Sequence, residues 1–353
     1  MNTQQVRCSA GRLALAGLVS VSLLALAAAL TGCSSSEAAW DDIAWGESTP
    51  DDLHHTFTVS PGGRLVIDAD RGAIELSTGG DETVQVDVLR RVTRGSATKA
   101  QEVMAAHKVT FDQDGATVIV RARLESGIKS WGSWGSRLRV RYVVTVPRRF
   151  DLDLKTAGGS IQVPDLTGAV VAGTSGGSVK VGAITGPVTG RTSGGSISVA
   201  SATELIEART SGGNIEVGTA QVAAKLSTSG GSIRVTEARG PLEASTGGGS
   251  IRVTQAFAAV DASTSGGSVQ VGLASSSEGD CRLSTSGGNV TVTVPADINA
   301  NLDARTSGGS VKSDLPVTVQ GEVKGSALEG RLGEGGRLIR LRTSGGSIHV
   351  TKS

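Results

Sequence analysis

Thr192-Ser193-Gly194-Gly195-Ser196-Ile197-Ser198-Val199 is one of ten near-copies of a single eight-residue unit. The Gly-Gly pairs of these copies begin at residues 158, 176, 194, 212, 230, 248, 266, 287, 308 and 345. Their spacing is therefore 18 residues six times, then 21, 21 and 37. A fixed period of this size predicts a solenoid, in which one coil alone buries nothing useful and stability comes from stacked neighbours. Thr stands two residues before every pair, Ser or Asn follows it directly, and Ile or Val comes next. Val stands two further on in nine copies, with Ser313 in the remaining one. The Ile-x-Val pattern puts both side chains on one face of a strand.

Reading backwards from each pair exposes a second strand. Six residues before it stand Leu152, Val170, Val188, Ile206, Ala224, Leu242, Val260, Cys281, Leu302 and Ile339, and four before it are small or aliphatic residues such as Leu226 and Ala262. The alternating positions carry mixed charges, from Asp153 and Glu207 to Lys225 and Arg282. A third apolar row, Leu166, Ile184, Ala202, Ala220, Ala238, Ala256 and Ala274, falls between the strands and suggests a short third side to each coil. The Gly pairs predict sharp turns at positive φ, and the Thr row a hydroxyl ladder that bonds along the stack or caps the turn. The gap of 37 is close to two periods, which predicts a degenerate coil around Gly325 to Gly336. Eleven coils at about 4.8 Å each give a rod on the order of 50 Å long. Right-handed coiling is the default from strand-crossover geometry.

Composition agrees with this architecture. Of 353 residues 50 are Gly, only 3% are aromatic and 8 are Pro, which excludes collagen and Pro-rich low complexity. Such a chain must build its core from Val, Ile, Leu and Ala, between closely spaced backbones. The formal charge of +1 falls to −1 without residues 1–32, which hold Arg7 and Arg12 and no acid. A net basic field for nucleic acid is thus absent, and no nucleic-acid partner is expected.

Residues 1–32 read as a targeting segment. Arg7 and Arg12 precede an uncharged run from Leu13 to Leu30, which ends at Leu30-Thr31-Gly32-Cys33. Those last four residues resemble the bacterial lipobox, which implies cleavage before Cys33 and its diacylation as a membrane anchor. The competing reading is an uncleaved membrane helix, since 18 apolar residues nearly span a bilayer. Residues 33–52 then form a tether. With Cys8 removed and Cys33 modified, only Cys281 remains in the mature chain, so no intramolecular disulfide is expected despite export.

Residues 53–150 lack the repeat and form an N-terminal β capping domain, or widened first coils, ahead of the solenoid at 151–353. Strands are expected at Phe57-Thr58-Val59, Leu65-Val66-Ile67, 73–76, 84–88, 117–120 and 138–146, and one short helix over 97–106. Pro-Gly-Gly at 61–63 and Asp114-Gly115 mark turns. A cap is needed because an open terminal coil is an aggregating edge.

The repeated Thr-Ser-Gly-Gly-Ser-Ile-x-Val unit, the Val146-Pro147 step before it and the ending Thr343-Ser344-Gly345-Gly346-Ser347-Ile348-His349-Val350 resemble the DUF4097 family of bacterial β-strand-repeat proteins. The resemblance covers roughly residues 55–353. It implies an exported or envelope-associated β-solenoid, an adhesin label, and no defined catalytic residues.

Direct chemistry is sparse. The turns hold no acid for calcium, and no metal or cofactor is expected. A polysaccharide-cleaving site needs convergent carboxylates and aromatic platforms, yet Phe257 is the only aromatic after Phe150. His54-His55 could bind a metal, but neighbours on a strand face opposite ways, which favours surface histidines. Cys281 falls on an inward row and reads as core rather than as a reactive thiol. An ice-binding Thr face is disfavoured by the varied residues flanking the Thr row. Trp131 and Trp134, in Lys129-Ser130-Trp131-Gly132-Ser133-Trp134-Gly135-Ser136-Arg137, either touch a membrane or glycan or pack against the cap. The expected protein is all-β, lipid-anchored through Cys33 in the cell envelope, and non-enzymatic: an adhesion or interaction module for an unknown glycan or protein. The resemblance also supports an envelope-stress sensor acting through protein partners, and a polysaccharide-acting enzyme is the third reading.

Overall fold

The computed structural model describes residues 48–93, 96–125, 138–319 and 325–353, all within one compact unit from Gly46 to Ser353. Cys33, Trp131 and Trp134 lie outside the described residues. Two sheets of 16 and 14 strands face each other. Every signature copy contributes one strand to each sheet. In one coil, Ile206–Thr210 lies in the second sheet and Ile215–Ala220 in the first, and both pair in parallel with the matching strands of adjacent coils. Side chains alternate in and out along each strand, and the inward set is Val, Ile, Leu and Ala at 0–3% exposure through the regular coils. β-branched residues suit this setting, since they pack well on a pleated, buried surface.

The apolar row of Ala202, Ala220, Ala238 and Ala256 is buried as expected, but it forms no separate side. These residues end the same strands that carry Ile-x-Val, past a skipped pairing position, so each coil has two sheets rather than three. Cys281 sits at 1% exposure on its inward row, and burial pushes its thiol up to about 12, as befits a core side chain.

The Gly pairs do not work through positive φ. Glycines with φ in the left-handed region are found elsewhere, at Gly72, Gly168 and Gly186 among others, and never at the ten pairs. Close approach is the reason instead. A Cβ on Gly213 would stand 2.0 Å from the carbonyl oxygen of Gly195, and one on Gly195 would stand 2.0 Å from that of Gly177. The first glycine of each pair has more room, with 3.4 Å at Gly212.

Thr and Ser complete the turn. The Thr210 hydroxyl donates to the Gly195 carbonyl at 2.8 Å and accepts from the Gly213 amide at 3.3 Å. This pair of bonds recurs in coil after coil, and every Thr of the row is 4–8% exposed. A second ladder runs beside it, in which each Ser or Asn amide donates to the side-chain oxygen of its counterpart one coil back. Asn replaces Ser at 214 and 289 without loss because its Oδ1 supplies the same acceptor.

Stack order departs from chain order at both ends. The strands Arg64–Ala69 and Ala73–Gly79 form a coil that lies between the coil of Asp151–Thr156 and Ile161–Val163 and a coil made by Thr117–Leu124 and Leu138–Pro147. At the other end Arg337–Thr343 lies between Cys281–Thr285 and Ala300–Thr306, so the last coil of the chain is next to last in the stack. The five residues 295–299 link Val290–Val294 to Ala300–Thr306. Regular coils use three at this place, 203–205 for instance, and the seven-residue link 274–280 still joins neighbouring coils, so length permits the step without dictating it. Five residues can span two coil spacings of about 4.8 Å and leave a slot.

No degenerate coil forms at 325–336. Ala327–Leu332 instead runs antiparallel along the outside of Ala300–Thr306 and covers the end of its sheet. The N-terminal end is closed by antiparallel strands too: Leu53–Thr58 and Thr83–Thr93 on the first sheet, His107–Asp114 on the second. The helix spans Ala97–Ala106, capped by the Ser96 hydroxyl, and buries Ala100, Val103 and Met104. These reversals replace the parallel edge with antiparallel strands at both ends of the second sheet and at the N-terminal end of the first, and Lys108, Asp112 and Asp114 on one outer strand and Glu329 and Arg331 on another hinder further pairing there.

Candidate functional site

Inward and turn positions repeat almost without change, whereas outward positions differ from coil to coil. Along the outer face of the second sheet the stack reads Glu207, Lys225, Glu243, Asp261, Arg282, Arg340 and Asp303, through successive in-register pairs. This row is mixed through Asp261, turns cationic at Arg282 and Arg340, and ends in Asp303.

Chain reversal makes this cationic stretch. The inserted coil brings Arg340 and Arg342 beside Asp303 and Arg305 of the terminal coil. Arg342 pairs with the Asp303 carboxylate and also donates to the Asp303 carbonyl at 2.8 Å, and Arg340 Nε lies 3.5 Å from Asp303 Oδ2. Arg305 Nε stands 3.1 Å from Asp303 Oδ1, close enough for charge attraction although that oxygen accepts no hydrogen bond. Burial pushes the Asp303 carboxyl up, but the Arg342 hydrogen bond and the charges of Arg342, Arg305 and Arg340 outweigh it and hold the group below its ordinary range. Arg305 also bonds Glu329 at 2.8 Å. Beside this cluster runs a groove of about 870 Å³, lined by Asn301, Arg305, Arg331, Arg340, Thr318 and Leu338 among others.

A second set of polar groups is buried in the cap, His107 and Arg90 at the end of the helix and Tyr142 on the strand Leu138–Pro147. His107 is 2% exposed and neither ring nitrogen has a partner; the Tyr142 hydroxyl is buried and unpartnered as well. Arg90, 6% exposed, donates to the carbonyls of Met104 and His107 and so caps the end of the helix. Burial lowers the His107 pKa to about 4, with Asp70 opposing the shift and Arg90 and Arg71 adding to it. Burial likewise pushes the Tyr142 phenol up.

The residues singled out from sequence fall apart in space. His54 Nδ1 pairs with Asp87, whereas the His55 ring stacks on Phe111 with centroids 4.0 Å apart, so the two do not share a ligand. Among the described residues no group of three or more His, Cys, Asp or Glu is placed to hold a metal. The Thr row is buried and offers no outward hydroxyl face. The arginine groove was missed in the sequence: Arg305 and Arg340 are 35 residues apart, and nothing in the spacing announces that their coils adjoin.

No curated protein matches the chain. Among solved structures, a "putative adhesin" of Bacteroides fragilis is 13% identical over 86% of this chain and 97% of that one, with a TM-score of 0.36. A "putative lipid binding protein" of Parabacteroides distasonis is 14% identical over 86% and 97%, with a TM-score of 0.42. A "putative cell adhesion protein" of Clostridium sporogenes is 10% identical over 86% and 100%, with a TM-score of 0.19. The profile of the Toastrack DUF4097 family matches residues 63–351, from the first stacked coil to the last, and the chain therefore belongs to that family.

Proposed function

We propose that this protein is an exported, lipid-anchored interaction module of the bacterial envelope, which holds a ligand on its outer faces without transforming it. One observation carries the reading: the scaffold positions are repeated nearly identically in every coil, while the outward positions vary. Solenoids use such extended surfaces for recognition. The lipobox at Leu30-Thr31-Gly32-Cys33 supports the anchor, through diacylation of Cys33 after cleavage of residues 1–32. The cap of residues 53–150 would then lie nearer the bilayer than the solenoid of 151–353, with the chain between Cys33 and Ser48 as tether, since Ser48–Pro50 already pairs antiparallel with Thr83–Thr93 and Asp51 and Asp52 pair with Arg90 and Arg91.

The test has two arms. Cys33→Ala should leave the precursor uncleaved and move the protein from the detergent phase to the aqueous phase; unchanged maturation and partitioning would refute the anchor. The purified chain, incubated with an array of envelope glycans, lipids and proteins, should retain a component that mass spectrometry finds unaltered. Turnover of that component would refute a purely binding role.

A further inference from the structure

We propose that the arginine groove at the C-terminal end of the second sheet binds an acidic glycan, with Arg331 and Arg340 pairing its carboxylates. The proposal rests on the interaction-module reading and names the site and ligand class for it.

Cation supply at the groove exceeds its internal demand. Arg342 is committed to Asp303, and Arg305 is divided between Asp303 and Glu329. Arg340 meets Asp303 as a long ion pair, Nε to Oδ2 at 3.5 Å, and its guanidinium makes no hydrogen bond with any described residue. The exposed Arg331 guanidinium makes no hydrogen bond or ion pair with any described residue. Both unspent groups line the same groove. A guanidinium fork matches a carboxylate in two parallel hydrogen bonds, so two forks suit a ligand carrying acids at intervals along a chain.

The rest of the lining favours a sugar. Thr318 offers a hydroxyl, Asn301 offers its side-chain oxygen while its Nδ2 donates to the Gly336 carbonyl at 2.7 Å, and the half-buried Leu338 offers an apolar patch against which the C–H face of a pyranose can lie. The volume of about 870 Å³ falls within the range of ligand sites. An acyl chain would need a continuous apolar channel, which this lining of arginines, acids and amides does not provide. The site exists only because the last coil is inserted, since Arg340 belongs to that coil and Arg305 to the one outside it.

The test uses the full chain with trigalacturonate as probe and maltotriose as the uncharged control, by titration calorimetry at about 50 and about 500 mM NaCl. Trigalacturonate should bind at low salt, weaken about tenfold or more at high salt, and weaken about tenfold or more in the double variant Arg331→Ala, Arg340→Ala. Arg234→Ala with Arg252→Ala, on the other sheet, should leave binding unchanged, and thermal melts of both variants check that the fold persists. Equal affinity in the groove variant, or equal binding of maltotriose, would overturn the proposal. So would capture on phosphatidylglycerol vesicles, abolished by the groove variant, with no trigalacturonate binding: the ligand would then be a phosphate headgroup. Retention of another envelope component, unaffected by the groove variant and without trigalacturonate binding, would sink the groove and leave the interaction module standing. Failure to retain any component would remove both.

Discussion

The Thr306 hydroxyl donates to the carbonyl of Gly346, 40 residues later in the chain, at 2.7 Å. In the regular coils the same bond points 15 residues back, as from Thr210 to Gly195. The geometry is unchanged, yet the partner comes from a coil synthesised afterwards. Gly346 in turn packs on Gly288, so the last coil is clamped on both sides.

Removal of residues 337–353 should therefore do more than trim an end. It would leave Cys281–Thr285 and Ala300–Thr306 facing an empty slot, each with one row of strand bonds unmade. The truncated chain should become protease-sensitive throughout 295–336, read by limited proteolysis and mass spectrometry. Protection of 300–313 equal to that of the full chain would mean that the terminal coil restacks directly on its predecessor.

The two glycines of one pair should differ sharply on substitution. Gly213→Ala forces a Cβ to 2.0 Å from a backbone carbonyl and should cost about 2–4 kcal/mol through displaced coils. Gly212→Ala meets its nearest atom at 3.4 Å and should cost about 1 kcal/mol or less. Thermal or denaturant melts of the two variants decide this, and equal losses would show that conformation rather than close approach sets the requirement.

Thr210→Val keeps the shape and removes both bonds of the ladder. The Gly195 carbonyl and the Gly213 amide lose a buried partner, so a loss of about 1–3 kcal/mol is expected. Thr210→Ser retains the hydroxyl and should recover most of it. A serine variant as unstable as the valine variant would assign the role of Thr to its methyl group.

Acid should loosen the N-terminal cap. His107 is neutral in the folded protein, with its pKa lowered to about 4 by burial against an unfolded value near 6.5. Protons therefore bind the unfolded chain first. Stability is unaffected above pH ~7, falls as pH drops from about 6.5 to about 4, and the total loss approaches about 3 kcal/mol. His107→Gln should flatten this part of the stability–pH curve, as followed by denaturant melts. A curve identical to that of the parent chain would show that other groups carry the acid sensitivity.

Much of the fold was legible because the repeat reports the same environment ten times. The inward rows, the parallel register, the Thr ladder and the helix at Ala97–Ala106 all follow from spacing and side-chain type. Legibility fails where one residue meets two explanations. Glycine suits both a left-handed turn and a close backbone approach, and only the distance from Gly213 to the Gly195 carbonyl separates them. The buried polar groups of His107 and Tyr142 were hidden for a different reason: they lie on strands from separate parts of the cap, both within the fields of Asp70, Arg71 and Arg90, and no local pattern records that surrounding.

What the amino-acid order determined by itself is the coil: its length, its two strands, its buried small aliphatics and the ladders that let any copy stack on any other. That interchangeability is also why it could not determine the order of the stack. Coils with the same Thr, Gly-Gly and Ile-x-Val fit in more than one sequence, so pairing energy between them is nearly indifferent to which lies beside which. Tertiary structure decides through features outside the repeat: the step that the five residues 295–299 permit, the antiparallel cover of Ala327–Leu332, and the ion pairs that gather Arg305, Arg340 and Arg342 around Asp303. Those contacts depend on three-dimensional neighbours rather than on chain neighbours, and the cationic groove exists only once they are made.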